Sequence, residues 1–232
     1  MNRLPWSRRI AAVASLGDGN RRRLFDFVAA AEQAVGRDDA AGALGLARST
    51  ASFHLDRLVH DGLLAVEFRK LGGKEGPGSG RPAKLYRAAV QEVSASVPER
   101  NYDLAAELLV TAIEQSAADG GSARAALLQA ARARGLAAGE AAGAADFAEL
   151  LAAEGYRPAD DGAGGLVLLN CPFHRVAQGH AEVVCAMNGA FLGGAAAGCG
   201  VDPARVEALD IEELRGEGSA APAQCCARIR PL

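Results

Sequence analysis

The sequence has no run of about 18 consecutive apolar residues, the least a helix needs to cross a bilayer, so no membrane span is expected. It carries no nucleophile elbow, no phosphate-binding glycine loop and no defensible carboxylate pair, so an enzyme is not expected either. No internal repeat is present. Aromatic residues are few, 5% of the chain, and the apolar half of the composition leans on alanine and glycine. Ala-rich stretches favour helix, which points to a mainly α protein with small β elements. Cysteine is absent from the first 170 residues; all five, Cys171, Cys185, Cys199, Cys225 and Cys226, come later. An odd number argues against a disulfide framework. Metal, cluster or redox chemistry is left to compete with plain packing of small residues. The apolar run Ile10–Leu16 behind Arg8-Arg9 is too short for an export signal and ends in Gly17-Asp18-Gly19-Asn20. It reads as a helix, and a cytoplasmic location is expected.

What is present is unevenly distributed. Residues 1–88 hold 15 Lys/Arg against 9 Asp/Glu, a balance of +6, while the remainder holds 10 against 19, a balance of −9. A basic half joined to an acidic half suggests that only one of them meets a polyanion. The expected organisation is a first domain over 1–90, a helical linker and dimerisation region over 91–154, and a small cysteine-containing α/β domain over 155–232. In the middle region Tyr102 to Val110 has apolar residues at helical spacing. In the last, Tyr156-Arg157-Pro158, a Gly/Asp turn and Leu166–Leu169 read as a hairpin, and residues 223–230 as a short strand.

The clearest local pattern lies in residues 38–64. Asp38 or Asp39 can cap a short helix, a tight turn follows around Leu46-Ala47-Arg48, and Ser49 or Thr50 can cap a second helix. In that helix Ala51, Leu55 and Leu58 stand at i, i+4 and i+7 and form one buried stripe, with Ser52, Phe53, His54 and Arg57 turned elsewhere. Gly62 stops the helix. Two strand-like pieces, residues 64–70 and 81–87, flank the glycine-rich stretch 71–80 and make a basic hairpin. From Ala47 to Ala88 there are 8 basic and 4 acidic residues.

The stretch Ala47-Arg48-Ser49-Thr50-Ala51-Ser52-Phe53-His54-Leu55-Asp56-Arg57-Leu58 followed by Gly62-Leu63-Leu64 resembles the recognition helix of ArsR- and MarR-type winged helix-turn-helix regulators. The resemblance implies a regulator that binds double-stranded DNA. A helix fits the major groove with its first turns on base edges, and a basic wing follows the phosphates. Position then assigns Arg48, Ser49, Thr50, Ser52, Phe53 and His54 to the groove. Phe53 suits thymine methyls; His54 either contacts the DNA or hydrogen-bonds inside the domain. Arg57, Arg69, Lys70, Lys74, Arg81 and Lys84 are assigned to phosphate or the minor groove. A homodimer joined through Tyr102 to Gln115 would read a palindromic operator.

In the last region Pro172 suits a first helical position, which would make Cys171 the N-cap, where the helix favours its thiolate. Asn170-Cys171-Pro172-Phe173, then Val184-Cys185 and Gln224-Cys225, with Gly80-Arg81-Pro82 and Tyr86 earlier, resemble SufR-type repressors. Those winged-helix proteins hold a [4Fe–4S] cluster through cysteines. That resemblance implies a repressor with Cys171, Cys185 and Cys225 as ligands. Cys226 and His174 rank behind them, since adjacent strand positions face opposite sides and His174 could fill a fourth place. An unbroken helix from Cys171 to Cys185 would hold them about 21 Å apart, so a break at Gly179-His180 is expected. Cys199 lies equally far beyond Cys185. Zinc, an organic ligand elsewhere in the domain and a metal-free thiol sensor remain alternatives; the paired C-x2-C spacing of structural zinc is lacking.

Overall fold

The computed structural model describes residues 4–69, 82–143, 147–209 and 221–231, which fall into two compact units, 1–95 and 96–232. In the first unit α1 (Trp6–Ser15) and α2 (Gly19–Ala29) precede a two-residue strand β1 (Val35–Gly36). Asp18 caps α2, accepting from the backbone N–H groups of Asn20 and Arg21. Then come α3 (Arg37–Leu44), α4 (Arg48–His60), β2 (Leu64–Arg69) and β3 (Ala83–Ala88). The strands form an antiparallel sheet in the order β1-β3-β2, with Val66 opposite Tyr86 and Val35 on the other side of it. This order of helices and hairpin is that of a winged helix-turn-helix.

The expected stripe of α4 is the centre of this unit's core. Ala51, Leu55 and Leu58 are fully buried among Leu24, Val28, Ala40, Leu63, Leu64 and Tyr86. The helix starts differ from expectation. Gly36, not Asp38 or Asp39, is the N-cap of α3, and the two aspartates occupy its first turn, where the helix dipole favours them. Ala47 is the N-cap of α4, so Ser49 and Thr50 sit inside the helix and no side chain caps it. At the other end Gly62 has φ +79°, and Leu63 N–H reaches back to Leu58 O at 2.9 Å, closing the helix as its glycine predicts.

The second unit holds α5 (Tyr102–Asp119), α6 (Ala123–Ala142), α7 (Phe147–Ala153), β4 (Pro158–Asp160), β5 (Leu166–Leu168), α8 (His174–Ala177), α9 (Ala181–Gly198), β6 (Val206–Ala208) and β7 (Ala227–Ile229). Its four strands run antiparallel in the order β4-β5-β7-β6. The division expected near residue 154 does not exist. Leu104, Leu108, Leu127 and Leu151 share one core with Leu168, Phe173, Met187, Phe191, Leu192 and Ile229, because no one of these short elements can bury its apolar face alone.

α6 and α9 meet through Gly135 and Gly139 on one side and Gly194 and Gly198 on the other, each pair one turn apart. A Cβ at any of the four would come within 2.5 Å of a backbone oxygen of the facing helix. This approach explains glycines that cost helix propensity. α9 is long and apolar enough to cross a membrane by length and composition, and half of it is buried inside the unit. Its apolar character is accounted for by this packing.

Candidate nucleic-acid interface and thiol cluster

α4 presents a mixed face. Arg48 and Ser49 are exposed, Thr50 and Ser52 half-buried, and Phe53 is 65% exposed despite its apolar ring. Phe68, on β2, is exposed as well. His54 does not belong to this face. It is 9% exposed and its ring meets that of Phe53 edge-on, with centroids 5.3 Å apart. Its Nδ1 lies 4.0 Å from Asp18 Oδ1, beyond hydrogen-bond distance, and has no hydrogen-bond partner among the described residues. The reason lies in the helical period: Ala51, His54, Leu55 and Leu58 stand at i, i+3, i+4 and i+7, so His54 completes the buried stripe. The groove assignment of His54 is therefore corrected to an interior one.

The described basic residues of the interface each have a carboxylate partner. Arg48 Nε is 2.6 Å from Asp38 Oδ1, Arg57 Nε 2.9 Å from Asp61 Oδ2, Arg69 Nη2 2.7 Å from Glu67 Oε1, and Lys84 Nζ 2.5 Å from Asp56 Oδ1. Lys70, Lys74 and Arg81 lie outside the described residues. Asp56 ties α4 to the hairpin, because the buried Tyr86 hydroxyl also donates to Asp56 Oδ1, at 2.8 Å. Partial burial pushes the Asp56 carboxyl up, but the Lys84 and Tyr86 donors outweigh it and hold the group below the usual aspartate range. Burial and the neighbouring carboxylate push the Tyr86 phenol up.

In the second unit four of the five cysteines come together. Cys171 N–H donates to Ala223 O at 2.8 Å and Cys225 N–H to Leu168 O at 2.9 Å, which lays residues 223–225 beside 168–171. α9 brings Cys185 and, one turn on, Asn188. The break before α9 falls where expected, with Gly179 at φ +84° and the helix starting at Ala181. The expected helix start at Pro172 does not occur. Residues 172–173 form a turn, α8 begins at His174 with Phe173 as N-cap, and His174 N–H donates to Cys171 O at 3.1 Å. Cys171 is thus held in a turn and is not a helix cap.

Cys225 and Cys226 both reach the group, contrary to the expectation that only one would. They precede β7, Cys225 in no regular element and Cys226 at a bend, so they lie outside the strand for which the alternation of faces was argued. The Asn188 Nδ2 amide donates to Cys225 Sγ at 3.1 Å and to Cys226 Sγ at 3.8 Å, and the Tyr156 hydroxyl donates to Asn188 Oδ1 at 2.6 Å. Cys199 lies at the far end of α9, its Sγ 3.9 Å from Gly139 O.

The four thiols influence one another electrostatically in the order Cys171, Cys225, Cys226, Cys185. Donation from the Cys185 and Cys225 thiols, against the upward push of burial and helped by Asn188, holds the Cys226 thiol down at about 3. Cys171 is lowered by the Cys225 thiol, against burial and with help from Phe173 N–H. Cys185 and Cys225 are pushed up, because they keep the protons their neighbours accept. Cys225 has one S–H and cannot donate to Cys171 and Cys226 at once. Cys226 has the Cys185 thiol and the Asn188 amide besides, so the downward direction has the most donors behind it there. Among the described residues no three or more His, Cys, Asp or Glu side chains stand ready-made around one metal ion. The donor set is nevertheless that of a thiophilic centre: four clustered sulfurs, one favouring thiolate, and an amide N–H aimed at two of them.

No protein-family model matches the chain, and no curated protein does. Among solved structures it is similar to a homodimeric winged helix-turn-helix DNA-binding domain from Mycobacterium bovis, described as a possible ArsR-family transcriptional regulator. The two are 24% identical, the match covers 50% of this chain and 86% of that one, and the TM-score is 0.27.

Proposed function

We propose that the chain is a DNA-binding transcriptional repressor. In this reading it binds a palindromic double-stranded operator as a homodimer, and the cysteines of its second unit set its DNA affinity. The observation that carries the reading is the exposed first turns of α4, with Arg48, Ser49 and the 65% exposed Phe53, beside a two-stranded hairpin. The uncapped N-terminus of α4 adds N–H groups that suit phosphate. The internal ion pairs of Arg48, Arg57, Arg69 and Lys84 do not oppose it. Exposed pairs of this kind are worth about 0–1 kcal/mol, so a phosphate can replace the carboxylate. Dimerisation is supported by α5, where Leu109, Val110 and Ile113 share one exposed apolar face.

For the second unit the donor set supports a bound [4Fe–4S] cluster held by Cys171, Cys185 and Cys225, as the resemblance to SufR-type repressors implies. When bound, such a group supplies sensitivity to iron, sulfide and oxidant. The chain's own part is to bring three separate segments, the Cys171 turn, α9 and the segment before β7, to one place. Loss of any of them opens the site.

The test is selection of duplexes from a random library by the full chain, followed by affinity measurements over a range of salt. A palindromic consensus bound as a dimer, with affinity falling steeply as salt rises, is expected. Absence of sequence preference and of salt dependence would overturn the reading.

A further inference from the structure

We propose that Asn188, oriented by the Tyr156 hydroxyl, is the positioning residue of an all-sulfur site for a thiophilic metal, and that Cys226 is its fourth sulfur beside Cys171, Cys185 and Cys225. The inference rests on the reading that these cysteines bind metal, and it names what makes four sulfurs available where three were expected. Asn188 and Tyr156 are 1% and 2% exposed. A buried amide must place both ends on partners or lose its desolvation cost outright. One end is settled by Tyr156, whose hydroxyl donates to Asn188 Oδ1 at 2.6 Å. Burial keeps that hydroxyl protonated, so it remains a donor. The other end must then present Nδ2–H groups, and they meet Cys225 Sγ at 3.1 Å and Cys226 Sγ at 3.8 Å.

The opposite amide orientation would set Oδ1 against two sulfurs, which suits only weak S–H donors and becomes acceptor against acceptor once the sulfurs are charged or metal-bound. A neutral thiol is a weak acceptor, so this donor is fully used only when a sulfur is charged or metal-bound. Hydrogen bonds to ligating sulfurs also set the affinity and potential of such centres. Asn188 stands one turn beyond Cys185 on α9, so one helix supplies a sulfur and the group that orients the two terminal ones. The site takes a single thiophilic cation or an iron–sulfur cluster. A single cation would draw on all four sulfurs, and a cluster held by Cys171, Cys185 and Cys225 would gain Cys226 as a fourth ligand.

The test uses the reduced full chain under anaerobic conditions in two arms: titration with Co(II), whose sulfur-to-metal absorption counts thiolate ligands, and incubation with Fe(II) and sulfide. The variants are Cys226→Ser, Asn188→Asp, Tyr156→Phe and, as a control, Cys199→Ser, with circular dichroism to show that each folds. Expected are a four-thiolate Co(II) spectrum in the wild type and in Cys199→Ser, and three thiolates in Cys226→Ser. Asn188→Asp, which replaces the donor by an acceptor at constant shape, is expected to bind about 10–100-fold more weakly with fewer thiolates engaged. Tyr156→Phe follows in the same direction, and it decides alone if Asn188→Asp does not fold. A merely structural role would not change the thiolate count of a folded variant.

Iron and acid-labile sulfide retained only in the second arm identify a cluster; tight Co(II) displaced by Zn(II) identifies a single cation. An unchanged count in Cys226→Ser, or wild-type affinity and spectrum in folded Asn188→Asp and Tyr156→Phe, overturns this inference alone. A wild-type chain that takes up metal in neither arm overturns the metal reading and this inference with it.

Discussion

Gly135 of α6 lies so close to Phe191 of α9 that a Cβ on the glycine would come within 2.0 Å of the Phe191 carbonyl oxygen. The obstacle is backbone, so no side-chain rotation relieves it and the helices must part. Gly→Ala in a helix interior otherwise stabilises by about 1 kcal/mol. At Gly135 the overpacking cost, about 1–3 kcal/mol for ordinary side chains and more against backbone, outweighs that gain. Gly135→Ala is expected to lower the urea midpoint of the second unit. Gly189→Ala, on the same α9 but with nothing within 4 Å of the new Cβ, is expected to raise it.

Asp56 makes the first unit sensitive to acid. Its folded pKa is depressed because the Lys84 and Tyr86 donors outweigh burial. A depressed carboxylate contributes stability that is complete above the unfolded value of about 3.9 and is lost as pH falls through the folded one. The side chain is about half-exposed, so screening keeps the contribution below about 1 kcal/mol. Asp56→Asn is therefore expected to be slightly less stable than wild type at neutral pH and equal to it in strong acid. Thermal melts across pH 2–7 (a range of about five units) check the convergence; a difference constant with pH would refute the assignment.

Much of the winged unit was legible because its signals are local. Ala51, Leu55 and Leu58 recur with the helical period, Gly62 stops α4, and a glycine-rich stretch separates two strand-like pieces. The break at Gly179-His180 was legible for a different reason, since an unbroken helix would have kept the cysteines apart. What stayed hidden depends on partners distant in sequence. β1 and β6, two and three residues long, show no periodicity and exist through pairing with β3 and β7. His54 is polar, so its place on the apolar stripe was overruled by residue type. The alanines and glycines of α6 read as helix propensity, although the glycines serve the approach to α9. Cys226 was ranked behind Cys225 on strand alternation, a rule for strand residues, whereas both precede the start of β7.

The apolar face of α5 gives a direct test of the proposed dimer. Ile113 is 63% exposed, with Leu109 and Val110 one turn before it. Ile113→Glu places a charge at the centre of that face without touching the core formed by Leu104, Leu108 and Ala112. Light scattering is expected to show a dimer for the wild type and a monomer for the variant, with unchanged circular dichroism. DNA affinity should fall as well, because a monomer reads one half-site. A variant that stays dimeric would move the interface elsewhere.

The ion pairs of the interface predict a gain of function. Arg48 is held by Asp38 at 2.6 Å, with both side chains about two-thirds exposed. A phosphate reaching Arg48 must displace that carboxylate and approach its negative charge. Asp38→Asn removes the competitor and the repulsion together, at a cost of about 0.3–1 kcal/mol to α3, whose first turn Asp38 favours. Asp38→Asn is thus expected to bind operator DNA more tightly than wild type at low salt, with the advantage shrinking as salt screens the phosphate. Arg48→Ala should bind more weakly and show a salt slope reduced by about one. His54→Ala should lose stability, because it empties a buried position, yet keep the base preference of the wild type. If instead His54→Ala changes which bases are selected while Arg48→Ala and Asp38→Asn leave affinity untouched, the DNA contacts do not lie on the exposed first turns of α4.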